Sequence, residues 1–177
     1  MQFFQEYASL YLASLVMWSF LMAFLYNLVK KSAMPNSDGV LMWMSLAIFL
    51  SYLLSDPLLS LSVGVDIIYS INGYIIWAIS DFVILLIILI ITRKSRVQKL
   101  PAKLYVIIGL TVNMLLFLAM HIDINVLMHY EHWWFWTFYS ITVNVMDVMM
   151  IIALLTNKDF LGLLGCYRWG VETKQSA

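Results

Sequence analysis

The chain alternates between long apolar runs and short polar breaks, and the runs have the length of membrane crossings. About 20 apolar residues, rising 1.5 Å each, cross a ~30 Å hydrocarbon layer. By that ruler the pattern predicts five spans, at 8–29, 40–63, 67–91, 104–122 and 133–155. Each is expected to be an α-helix, because lipid offers the backbone no hydrogen-bond partner. The breaks have visible causes. "KKSAMPNSDG" (30–39) combines charge, Pro35 and a turn signal, and "RKSRVQKLPAK" (93–103) is a charge cluster ended by Pro101. "SVGVD" (62–66) turns at Gly64, and "DINVLMHYEH" (123–132) is polar enough to leave a bilayer. The expectation is an all-α, polytopic integral membrane protein, residues 1–177 forming one helical domain. Residues 156–177 come after the last span as a short interfacial segment and tail. Within it "DFLGLLGCYRW" (159–169) reads either as a short interfacial helix capped by Asp159 or as a frayed end.

The cations give the five spans a direction. Lys30 and Lys31 come after span 1, Arg93, Lys94, Arg96, Lys99 and Lys103 separate spans 3 and 4, and Lys158, Arg168 and Lys174 come after span 5. Five crossings put all ten Lys and Arg on one side. The positive-inside rule then places the N-terminus outside and the C-terminus in the cytosol. Trp133, Trp134 and Trp136 fall at the outer boundary of span 5, where indole rings prefer to sit.

Composition agrees. Of 177 residues, 63% are hydrophobic and 11% charged, with a mean hydropathy of +0.90. Soluble domains carry about 25% charged residues. The single cysteine, Cys166, excludes an internal disulfide and Cys-pair metal motifs. The opening "MQFFQEYASL" lacks the basic start of a secretory signal, so span 1 is expected to be retained. The whole fits a bacterial inner membrane.

Against this background the polar residues within spans stand out. An Asp at the centre of a membrane helix costs ~2.5–3.5 kcal/mol to insert, and such groups mark functional sites by default. Thr137, Ser140, Asn144 and Asp147 recur at spacings of 3, 4 and 3, which puts them on one face of span 5. This polar seam reads either as a hydrated path or as a helix–helix interface joined by hydrogen bonds. Asp81 lies in span 3 on a face with Tyr74 and Trp77, and a tyrosine hydroxyl or indole N–H reaching it across a helix interface is its expected partner. Asn113 occupies the centre of span 4. By depth Asp81, Asn113, Ser140, Asn144 and Asp147 are expected to form one intramembrane polar cluster. Asp56, Pro57 and Asn72 form an outer group, in which Pro57 kinks span 2 and Asp56 either caps the segment after the kink or belongs to a polar site. Tyr52 shares a side of span 2 with Asp56.

Other chemistry is sparse. His121, His129 and His132 sit near Asp123 and Glu131, but interfacial histidines beside Trp are common, and no metal or other cofactor is expected. There is no phosphate-binding glycine loop, no His-Glu-x-x-His, no Gly-x-Ser-x-Gly, and no Gly-x-Gly-Asp of the intramembrane aspartyl proteases. No catalytic residue is assigned, and an enzyme is not expected. The basic loop of Arg93, Lys94, Arg96, Lys99 and Lys103 attracts anionic headgroups at ~1 kcal/mol per cation, or docks an acidic cytoplasmic protein. It is too short to recognise nucleic acid. The leading expectation is a non-enzymatic membrane subunit that self-assembles or docks such a partner, to sense, anchor or signal. In general type it resembles small bacterial membrane components of phage-defence, toxin–immunity and lysis systems. The alternative is a proton or cation pathway built on the Asp/Asn seam.

Overall fold

A computed structural model of the chain describes residues 2–34, 39–55, 73–95, 97 and 99–165, with side chains from Tyr11 onward. Five helices account for most of them: α1 (Gln2–Ala33), α2 (Val40–Ser55), α3 (Gly73–Ile91), α4 (Pro101–Asn125) and α5 (Trp134–Thr156). No strand occurs among the described residues. Four helices are long and apolar enough to cross a membrane, namely Tyr11–Ala33 of α1 and the whole of α3, α4 and α5. The described part of α2 has 16 residues, about 24 Å of helix. The rest of the expected second span, and the outer group Asp56, Pro57 and Asn72, lie outside the described residues, as do Arg96 and Cys166.

Helix ends obey local chemistry. Pro101 opens α4, where its missing N–H would have had no partner in any case. Asn157 closes α5 in the left-handed conformation, with φ of 48°, a role Asn fills when Gly is absent. The turn it makes lets its side chain accept a hydrogen bond from the Ala102 backbone N–H at 3.3 Å. The start of α4 and the end of α5 are thereby joined. The polar stretch 123–132 differs from expectation at its start: α4 continues through Asn125, because Asp123 turns inward and finds partners there.

The helices form a closed ring in chain order. Each packs on the next, and α5 returns to α1. The Asn27 amide of α1 donates to Leu154 O of α5 at 3.1 Å, near the C-terminal end of both, so these two run parallel. Lys103 Nζ at the start of α4 donates to Thr92 O at the end of α3. Trp133 and Trp136 at the start of α5 bond Asp123 at the end of α4. The bundle therefore has a lysine end, with Lys30, Lys31, Lys94, Lys99, Lys103 and Lys158, and an opposite tryptophan end.

An apolar core fills the bundle between the central cavity and the lysine end. Phe20, Met44, Ile48, Ile88, Val106, Leu110, Met150 and Leu154 are essentially inaccessible. Gly109 lets α4 and α5 approach closely, since a Cβ there would lie 2.6 Å from Met150 Cγ. The outer surface is inverted relative to a soluble protein: Leu15, Met22, Ile79, Ile90, Leu115 and Ile141 are exposed. Such a surface suits hydrocarbon. Several hydroxyls are satisfied within their own helix, including Ser19 to Leu15 O, Thr111 to Ile107 O and Thr156 to Ile152 O. These do not contribute to any polar site.

Candidate functional site

The tryptophan half of the ring is not filled. A cavity of about 250 Å³ lies there, and all five helices contribute to its lining. From α1 come Leu12, Ala13 and Val16, and from α2 Ser51, Tyr52 and Ser55. From α3 come Trp77, Ser80 and Asp81, from α4 Phe117, and from α5 Tyr139, Ser140, Val143, Asn144 and Asp147. Leu12 and Ser140, on adjacent parallel helices, are exposed, so the cavity opens between α1 and α5.

Two carboxyl groups face this space. Asp147 is 5% exposed and Asp81 7%. The Asp147 Oδ1 atom accepts hydrogen bonds from the Tyr52 hydroxyl and from Asn113 Nδ2, the latter at 2.9 Å. A ring contact between Phe20 and Tyr52, centroids 4.5 Å apart, steadies the tyrosine. Asp81 differs. Its Oδ2 is buried and has no hydrogen-bond partner. The same holds for Asn113 Oδ1. Leaving a buried polar atom unpaired costs ~1–3 kcal/mol, and such atoms call for an explanation. Ser51 and Ser80, between α2 and α3, bond each other at 3.1 Å. No Lys or Arg is among the lining residues, so neither acid has a cation facing it across the cavity.

The five residues of the expected cluster separate into a pair, a lone acid and a rim. Asn113 and Asp147 touch directly. Asp81 shares the cavity with Asp147 but not its hydrogen bonds. Ser140 and Asn144 line the cavity too, yet the Asn144 amide turns back to Ser140 O at 2.6 Å rather than to either acid. The tyrosine or indole donor expected for Asp81 across a helix interface does not reach its Oδ2, and Tyr74 and Trp77 on its own face meet edge-on with centroids 5.5 Å apart. Sequence reasoning misses Tyr52, Ser51, Ser80, Phe117 and Tyr139 as site residues. Helical spacing links Tyr52 to Asp56, and only the packing of α2 against α1 and α3 turns it toward α5.

At the tryptophan end Asp123 organises a clasp. Its Oδ2 accepts from the Trp133 and Trp136 indoles at 3.0 and 2.9 Å, and its Oδ1 meets His129 Nδ1 at 2.9 Å. His121 pairs with Asn125 instead. Among the described residues no group of three His, Cys, Asp or Glu is placed to hold a metal ion.

At the lysine end a second cavity, about 400 Å³, is lined by Asn27, Lys30, Lys31, Lys94, Lys99 and Asn157, among others. Arg93, Lys94 and Lys99 are exposed at this end. Lys103 is committed elsewhere: its Nζ donates to Thr92 O at 3.0 Å and Ser95 O at 3.4 Å, satisfying carbonyls at the end of α3. The segment after α5 is also tied down. Tyr105 donates to Asp159 Oδ1 at 2.5 Å and accepts from Leu161 N at 2.8 Å, while Phe160 stacks on its ring at 4.6 Å. Within that segment only residues 163–165 are helical among those described. No family model, curated protein or solved structure matches the chain.

Proposed function

We propose that this is an inner-membrane protein of five crossings, tryptophan end outside and lysine end in the cytosol, whose central cavity binds a cation for passage or sensing. The observation that carries this reading is the pairing of Asp81 and Asp147 across one buried space with no cationic side chain lining it. Two buried carboxyl groups cost ~2.5–3.5 kcal/mol each to insert. One interface hydrogen bond does not call for both. A site that attracts a proton or a cation does. Span 5 supplies the deep acid, span 3 the unpaired one, and the seam residues Ser140 and Asn144 form the approach.

The test is flux from liposomes. Wild-type protein is expected to carry protons or a monovalent cation above the background of empty vesicles, and Asp147→Asn to reduce that flux at least tenfold. No flux of H⁺, Na⁺ or K⁺ from wild-type vesicles would remove the transport form of this reading.

A second reading has its own support. The lysine end gathers Lys30, Lys31, Lys94 and Lys99 around one cavity, which suits a self-assembling subunit that docks an acidic cytoplasmic partner or anionic headgroups. Mass measured in detergent separates the two: a sealed oligomer without flux favours the docking subunit.

A further inference from the structure

The central cavity has more room than a bare ion needs. An apolar cavity of about 150 Å³ already holds benzene, and this one has about 250 Å³. A calcium site takes six to eight oxygen ligands. Here Asp147 Oδ1 already accepts two hydrogen bonds, and the Ser51 and Ser80 hydroxyls are spent on each other. Asp81 lines the same space, and its buried Oδ2 has no hydrogen-bond partner. A carboxylate with an unpaired oxygen and no cation beside it suits an N–H donor.

The rest of the wall is aromatic. Trp77 meets Phe117 with centroids 5.7 Å apart, and Phe117 meets Tyr139 at 6.0 Å. These three rings, from α3, α4 and α5, form one continuous surface on the lining. An ammonium group is attracted to ring faces as well as to carboxylates. Leu12, Val16 and Val143 add an aliphatic side. The opening between α1 and α5, rimmed by exposed Leu12 and Ser140, faces the direction from which an amphipathic molecule dissolved in the bilayer would arrive.

We propose that the cavity binds a small organic ammonium ion with an apolar body, its N–H donating to Asp81 and its ring lying against Trp77, Phe117 and Tyr139. The size allows one aromatic ring and a short amine-bearing arm. This rests on the reading of the cavity as a cation site and names the class of cation.

Purified full-length protein in detergent, near neutral pH, is titrated with tritiated phenethylammonium and read by scintillation proximity. Propylbenzene, its neutral counterpart with the same number of heavy atoms, serves as competitor beside unlabelled phenethylammonium. The expected result is saturable binding, displaced at least tenfold better by the ammonium than by propylbenzene. Asp81→Asn is expected to lose at least tenfold in affinity, and Trp77→Leu several-fold. If Asp81→Asn does not fold, the comparison of the two competitors on wild-type protein decides alone. Equal displacement by propylbenzene would show an apolar cavity without cation selectivity and overturn the proposal. Absence of saturable binding, with Asp147-dependent ion flux retained, overturns the ligand class but not the cation site. Absence of both overturns the two together.

Discussion

Tyr52 and Asp147 stand 95 residues apart in the chain and meet through one hydrogen bond between α2 and α5. Hydrogen bonds between membrane helices are worth ~0.6 kcal/mol on average and up to ~2. Tyr52→Phe keeps the ring contact with Phe20 and removes only the donor. Its expected cost is about 1 kcal/mol in reversible unfolding from detergent. Asn113→Ala, which removes the second donor and its own unpaired oxygen together, is expected to cost no more. A Tyr52→Phe loss above about 3 kcal/mol would mean the hydroxyl organises more than one carboxylate. About half of this site is legible in the sequence. Helical spacing exposes Ser140, Asn144 and Asp147 as one face, because residues 3 and 4 apart need only the geometry of their own helix. It is silent on Phe117 and Tyr139, and on the direction Tyr52 faces. Aromatic residues fill spans throughout this chain, and nothing local separates those facing the cavity from those facing lipid.

At the scale of elements, α5 is held at both ends by side chains and backbone of α4. The Asp123 clasp fixes its start, and the contacts of Asn157 with Ala102 and of Asp159 with Tyr105 fix the segment after its end. Hydropathy locates α3, α4 and α5 well, since twenty apolar residues in a row leave little freedom. It places the end of α4 too early, because a buried Asp is indistinguishable in sequence from one that leaves the membrane. The Tyr105–Asp159 contact has a pH signature. The Tyr105 hydroxyl, donating to the Asp159 carboxylate, holds it below its ordinary value of 3.8, helped by backbone N–H groups of the adjoining turn. A lowered folded-state value means that the contact contributes fully above the ordinary value and is lost as pH falls through the lowered one. Protection of the Leu161 and Leu164 amides against hydrogen exchange is therefore expected near neutral pH and lost only below 3.8. Tyr105→Phe should bring the loss to higher pH and weaken protection of Leu161 at every pH. Unchanged exchange in that variant would remove the latch.

The described helices form a ring whose first and last members run parallel, an arrangement that suits the proposed five crossings. Asn27 of α1 and Leu154 of α5 meet near the lysine end, while Ser55 of α2 and Trp77 of α3 line the cavity in the tryptophan half. The chain must travel from the first end to the second between Ala33 and Gly73, whatever the length of helix in between. Four long apolar helices with a short α2 thus remain compatible with the proposed five crossings, and incompatible with a topology in which α1 and α3 enter from opposite sides. The consequence is accessible to labelling. In a Cys166→Ser background, Tyr130→Cys puts a thiol at a position 71% exposed near the tryptophan end, and Lys158→Cys puts one at the lysine end, just past the close of α5. A membrane-impermeant maleimide added to intact cells should label the first and reach the second only after permeabilisation. The reverse pattern would invert the protein and turn the cavity mouth, which lies in the tryptophan half, toward the cytosolic leaflet. Labelling of both from outside would break the ring itself, since no odd number of crossings between residues 130 and 158 could then hold α5 parallel to α1.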